Sequence, residues 1–327
     1  MILVVHIGSS RMKWGLRSPR GWIAHGVTPN AEIGTLALRE WQNVPRPVRA
    51  LGINASGEAA RVRTEAQLTR WRVPIEWIVP VREAAGVVNR YDEPSQLCPA
   101  RWSSMVAARK RALASELFPP PCVVVNAGTL ITVDALDANG VFRGGIALPG
   151  LRAMQKSLAD ASPAWRTPPG IWRDFPTSNA DASSTGVLAA ATGAIEQVRA
   201  RLRRDEAAVR CYLTGGAAHD IAPHLAPPVE VVDNLVLEGA LALVDATLPP
   251  ERSHRHANRP RPAPARQPDA LRVHATRRRR RRRGHPARRA GAAGQDQAAH
   301  AAAGRRARPR EGRGARRRVR RVGSVLG

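Results

Sequence analysis

Cysteine, aromatic residues and long apolar runs are all scarce in this chain. Its three cysteines among 327 residues, Cys98, Cys122 and Cys211, lack metal-type or thiol-redox spacing, and so low and odd a count excludes a disulfide framework. A reducing, cytoplasmic setting is expected. No segment reaches the roughly eighteen uninterrupted apolar residues that a transmembrane helix needs, so no membrane partner is expected. The opening Met1-Ile-Leu-Val-Val-His6 reads as a buried strand, with neither a basic segment before it nor a small-residue cleavage site after it. No secretory leader is expected. Absent too are a Gly-x-x-x-x-Gly-Lys-Ser/Thr loop, a His-Glu-x-x-His helix and a Gly-x-Ser-x-Gly elbow, which removes three common catalytic frameworks. His219 and His224 flank Asp220, but their five-residue spacing suits a solvated helix better than a metal face.

Charge is plentiful but uneven. The chain carries a formal +26, and residues 251–327 supply +21 of it through 25 arginines against four acids. Residues 1–250 are left near neutral. The segment 249–327 has two leucines, no isoleucine and no aromatic residue, so it buries too little apolar surface to offset the entropy of ordering, and a disordered tail is expected. Two readings of that tail stand. Its run Arg277 to Arg283 could pair with phosphates of a nucleic acid, although no aromatic residues interleave it for base stacking. Otherwise it is a low-complexity or out-of-frame extension of a GC-rich coding sequence.

The rest alternates between short apolar runs and helical periods. Strands are expected at 2–7, 13–17, 22–26, 50–54, 75–79, 122–126, 130–136, 141–147 and 209–214, and helices at 59–71, 100–117, 151–159, 182–204 and 233–246. Pro119-Pro120-Pro121 breaks the chain between them and divides it into domains at 1–118 and 119–248. An internal repeat gives the pattern its meaning. Leu3-Val-Val-His-Ile-Gly-Ser9 returns 120 positions later as Val123-Val-Val-Asn-Ala-Gly-Thr129. Each copy runs an apolar strand into a glycine and a hydroxyl residue at a tight turn, where free amides and the hydroxyl offer donors to an anion. Matched halves thus carry two phosphate-binding turns.

These residues resemble the sugar kinase and actin superfamily, and more specifically the type III pantothenate kinases, related to the Bordetella accessory-factor proteins. The likeness rests on His6-Ile-Gly-Ser-Ser-Arg-Met-Lys-Trp14 against Asp-x-Gly-Asn-Thr/Ser-Arg-x-Lys-Trp, and on Tyr91-Asp-Glu-Pro-Ser-Gln-Leu-Cys-Pro-Ala-Arg-Trp102 against Tyr-x-x-Pro-x-x-Leu-Gly-x-Asp-Arg-Trp. Asn126-Ala-Gly-Thr129, Gly144-Gly145, Pro149-Gly150-Leu151, Thr214-Gly215-Gly216 and Val236-Leu-Glu-Gly239 continue it in order. The resemblance implies an α/β fold of duplicated actin-like, ribonuclease H-like domains with mixed sheets. It also implies a homodimer that transfers the γ-phosphate of ATP to pantothenate, in coenzyme A synthesis, with Mg²⁺ and either K⁺ or NH₄⁺. It carries ATP contacts onto His6, Ile7, Gly8, Ser9, Ser10, Arg11, Met12, Lys13 and Thr129, and pantothenate contacts onto Tyr91, Cys98, Pro99, Ala100, Arg101 and Asn179.

Three positions depart from the family pattern by losing a carboxylate. His6 stands where an Asp organises Mg²⁺, and imidazole suits that hard, oxygen-seeking ion poorly. Asn126 stands where an Asp binds the monovalent cation. Ala100 stands where an Asp accepts the proton of the attacking hydroxyl, help worth about 10²–10⁴-fold in rate. A catalytically inactive relative with a nucleotide-binding or regulatory role is therefore the alternative expectation.

Overall fold

A computed structural model describes residues 1–203 and 208–247. The tail expected to be disordered, with its Arg277 to Arg283 run, lies outside the described residues. The first half runs β1 (Ile2–Ile7), β2 (Arg11–Ser18), β3 (Gly21–Pro29), β4 (Arg49–Asn54), α1 (Glu58–Leu68), β5 (Ile75–Trp77), a small hairpin of β6 (Glu83–Ala84) and β7 (Val87–Val88), and α2 (Pro99–Ser115). The second half runs β8 (Cys122–Ala127), β9 (Leu130–Leu136), β10 (Phe142–Pro149), α3 (Leu151–Ala161), α4 (Asn179–Leu202), β11 (Arg210–Thr214), α5 (Ala218–Ile221), β12 (Val229–Val231) and α6 (Leu235–Thr247).

Both halves build the same mixed sheet, ordered β3-β2-β1-β4-β5 in one and β10-β9-β8-β11-β12 in the other. In each, two hairpin-linked antiparallel pairs are followed by two parallel neighbours, β1–β4–β5 and β8–β11–β12. The duplicated α/β architecture that the resemblance implies is thus the observed one.

Apolar residues on both faces of the central strands explain the layers, because alternate side chains of a strand point to opposite sides. Leu3, Val5 and Ile7 of β1 pack on the side of α1, with Trp41, Leu68 and Trp71. Val4 faces the other way and meets Leu51 and Ile53 of β4 together with Val236, Leu237, Ala240 and Val244 of α6. In the second sheet Val123, Val125 and Ala127 meet Ala191, Ile195 and Val198 of α4, while Val124 meets Met105, Val106 and Ala108 of α2. The helices α2 and α6, packed on each other, form the layer against which both sheets lie.

Additional elements join those expected: a 3₁₀ segment at Asn30–Leu38, the β6–β7 hairpin and β12. The 3₁₀ segment lies beneath the first sheet, burying Ile33 and Leu36. Its poor helical periodicity is why no sequence signal marked it.

The α2–α6 contact is close because position 239 has no side chain. A Cβ there would sit 1.8 Å from the Ser103 carbonyl oxygen and 2.4 Å from its carbon, so backbone would have to move. Overpacking of this kind costs roughly 1–3 kcal/mol. Gly239→Ala is expected to lower the melting temperature by about 3–10 °C in a thermal unfolding experiment; an unchanged midpoint would mean the helices do not meet at this point.

Candidate functional site

The first turn is closed by the Gly8 amide donating to the Arg11 carbonyl at 3.0 Å, leaving Ser9 and Ser10 exposed at its tip. Asn30 braces it from behind. Its amide donates to the Ser10 carbonyl at 3.1 Å, and its Nδ2 donates to the Gly8 carbonyl at 2.8 Å and to Ser56 Oγ at 3.0 Å. The second turn has the same bond, Gly128 amide to Leu130 carbonyl at 3.0 Å. Two neighbours hold it: the Gly150 amide donates to the Thr129 carbonyl at 2.9 Å and the Ala217 amide to the Ala127 carbonyl at 3.0 Å. The two turns meet. Ser10 Oγ and Thr129 Oγ1 share a hydrogen bond of 2.8 Å, although 119 residues separate them.

Of the residues expected at the nucleotide, Gly8, Ser9, Ser10, Arg11 and Thr129 line these turns, and Lys13 is half-buried on β2 directly opposite His6. Ile7 and Met12 are different. Both side chains are fully buried in the core beneath the first sheet, so only their backbone can serve the site.

A second cluster of polar and aromatic groups is built around Arg101, near the start of α2. Its Nε donates to both carboxylate oxygens of Asp134 on β9, at 3.0 and 3.2 Å, and its Nη2 donates to Oδ1. Its Nη1 donates to the Tyr91 hydroxyl at 3.0 Å. The guanidinium also lies 5.9 Å from the Tyr91 ring centre and 5.8 Å from that of Phe142, and those two rings stack at 5.7 Å. Asp134 has no exposed surface. Burial pushes its carboxyl up from the usual range, opposed by the hydrogen bonds and charge of Arg101. Burial works against the Arg101 charge as well, but Asp134 more than offsets it and holds the guanidinium above its ordinary value. An arginine stays protonated in any case, so Asp134 always faces a cation.

Space for this pair comes from β10. Gly145 is the register partner of Asp134, and a Cβ there would fall 2.4 Å from Oδ1 and 2.8 Å from Arg101 Nη2. Asp134, Asn30, Ser56 and the role of Gly145 were not found from sequence. Asp134 left a trace nonetheless, as the one acid inside the apolar strand Leu130–Leu136.

The remaining expected residues fall as follows. Pro99 opens α2 at its first turn, and half-buried Cys98 and buried Ala100 join the apolar cluster of Val4, Ile53 and Val236. Asn179 starts α4 with its Nδ2 donating to the Ala164 carbonyl at 3.1 Å, and no hydrogen bond among the described residues ties it to Tyr91 or Arg101. Cys122 and Cys211 are buried, their thiols pushed up to about 12 by desolvation, which removes both as nucleophiles.

Neither cation position fits the ion that the resemblance implies. At position 6 a half-buried imidazole replaces a carboxylate, and among the described residues no three His, Cys, Asp or Glu side chains gather to hold a metal ion. At position 126 the Asn Oδ1 accepts from Ser104 Oγ at 2.8 Å and the buried Nδ2 has no partner, so the free end is a donor rather than a cation ligand.

The family model of the type III pantothenate kinases matches residues 2–201. The curated type III pantothenate kinase of Leptothrix cholodnii is 41% identical over 249 residues, covering 74% of this chain and 95% of its own length. That of Acidovorax ebreus is 38% identical over 248 residues, covering 74% and 95%. That of Nitrosospira multiformis is 38% identical over 248 residues, covering 76% and 92%.

His6 makes the site pH-sensitive. Desolvation, and after it the charge of Lys13, push its imidazole down to about 4, so it is neutral at pH 7. Between the ordinary value near 6.5 and about 4 the unfolded chain takes up a proton that the folded chain refuses, so stability falls as pH drops through that window. His6→Gln removes the effect. In denaturant unfolding at pH 7 and pH 4.5, the variant should gain about 2–3 kcal/mol on the parent at the lower pH; parallel losses would contradict this burial of the imidazole.

Proposed function

Because the chain belongs to the type III pantothenate kinase family, we propose that it binds ATP across the turns at 8–10 and 128–129 and phosphorylates pantothenate bound at Tyr91 and residues 98–101. The observation that carries this reading is the meeting of the two turns at the Ser10–Thr129 hydrogen bond, which puts both sets of phosphate-facing donors in one place. We read residues 1–118 and 119–248 as the two lobes of a cytoplasmic homodimer's subunit, with Asn179 on the acceptor side.

In the transfer, the primary hydroxyl oxygen of pantothenate attacks the γ-phosphorus in line, and the bond to the oxygen bridging the β-phosphate breaks to release ADP. The turn amides, Ser9, Ser10 and Thr129 hold phosphate oxygens, and Lys13 adds a point charge. Tyr91 and Arg101 hold the acceptor, Arg101 by its guanidinium against the carboxylate. The hydroxyl proton has no acceptor at Ala100, whose methyl sits among Val4, Ile53 and Val236, so it passes to solvent or phosphate. Transfer by this chain is accordingly slow.

Phosphorylation of labelled pantothenate by the full chain tests this. Ala100→Asp together with His6→Asp is expected to raise turnover about 10²–10⁴-fold. Transfer by neither protein would overturn the kinase reading and leave a nucleotide-binding relative without enzyme activity. Rapid transfer by the parent, unchanged in the variant, would show that another group accepts the proton.

A further inference from the structure

Arg101 presents a problem of aim. It is a long side chain with several rotatable bonds, and recognition of a carboxylate by two parallel N–H bonds demands a fixed guanidinium plane. The fold fixes that plane with a group that does not reach the site. Asp134 takes the Nε and Nη2 edge, Tyr91 takes one donor of Nη1, and the rings of Tyr91 and Phe142 flank the group. A guanidinium has five N–H donors. The three engaged leave one on each terminal nitrogen, and the side chain keeps 13% of its surface exposed while Asp134 has none.

We infer that Asp134, in the space Gly145 leaves, is a positioning residue that aims Arg101 at the carboxylate of the acceptor substrate. This rests on the reading that pantothenate binds at Tyr91 and Arg101. Asp134 touches neither substrate nor nucleotide; it acts only through the guanidinium. Gly145 belongs to the same device, since any side chain there would displace the carboxylate and the Arg101 terminus together.

Charge and aim make opposite forecasts, which gives the inference its test. If Arg101 served only as a positive charge, removing the neighbouring carboxylate would strengthen its pull on an anion. If it must be aimed, the same change weakens binding. Calorimetric titration of the full chain with pantothenate, with the alcohol in which its carboxylate is reduced, and with ATP separates the two. Asp134→Asn and Gly145→Ala are each expected to weaken pantothenate binding by about tenfold to a hundredfold, with binding of the alcohol and of ATP unchanged. In an Arg101→Ala background, Asp134→Asn should have no further effect on pantothenate. Equal or tighter pantothenate binding by Asp134→Asn would overturn the inference, as would a loss shared by all three ligands.

Removing one partner of a buried pair strands the other charge, so a variant replacing both, Arg101→Met with Asp134→Leu, is measured beside the single changes. It should keep ATP binding and bind pantothenate no better than the alcohol. A parent protein that binds ATP but not pantothenate would instead overturn the acceptor reading itself, an outcome visible before any variant is made.

Discussion

Two sheets, each apolar on both faces, share one layer of helix. Every other placement in the described residues follows from that constraint. With α2 and α6 packed between Val4, Leu51 and Ile53 of one sheet and Val124 and Tyr212 of the other, consecutive residues of α2 serve different halves of the chain. Ala100 packs with the first sheet, while Arg101 reaches Asp134 of the second. The contact through Gly239 lets α2 and α6 approach backbone to backbone within that layer.

The same geometry separates what this chain has kept from what it has lost. The kept parts are held by backbone and by mutually satisfied polar groups: the two closed turns, the Asn30 brace, and the Arg101, Asp134 and Tyr91 network. The positions that differ from the family pattern are those to which the resemblance assigns proton and cation chemistry. His6 is neutral and half-buried, Asn126 is spent on Ser104, and Ala100 is part of an apolar cluster. The fit is uneven: Ala100 suits its apolar cluster, whereas the buried Asn126 Nδ2 is left without a partner and burial opposes protonation of His6. On the proposed reading, the groups for binding are present where those for proton and metal chemistry are replaced.

Much of this was legible in the residues. The first strand falls at residues 2–7 as its apolar run indicates, and the repeat at 3–9 and 123–129 foretold two matching sheets and turns. What stayed hidden depends on contacts distant in sequence. The pattern 6–13 looks uniformly like a ligand loop, yet Ile7 and Met12 are core residues, since a hairpin turns alternate side chains inward. Asn30 is an unremarkable polar residue until the end of β3 brings it against Gly8 and Ser56. Asp134 and Gly145 acquire meaning only as register partners on adjacent strands. The pieces β6, β7 and β12 are two or three residues long, too short for any period to show.

The hydroxyl pair joining the two turns has a thermodynamic consequence. Only one of the two hydroxyl protons of Ser10 and Thr129 is engaged in that bond, so on the proposed reading the chain carries its own competitor for one of the donors that a polyphosphate would use. If a nucleotide binds there as proposed and takes both hydroxyl protons, the internal bond is exchanged for bonds to phosphate oxygens, and the affinity is the difference between them. Since both hydroxyls sit at exposed turn tips, the internal bond is a weak competitor. It is nevertheless a bond between the halves, so an anion that took both hydroxyl protons would couple its own binding to the distance between the two turns.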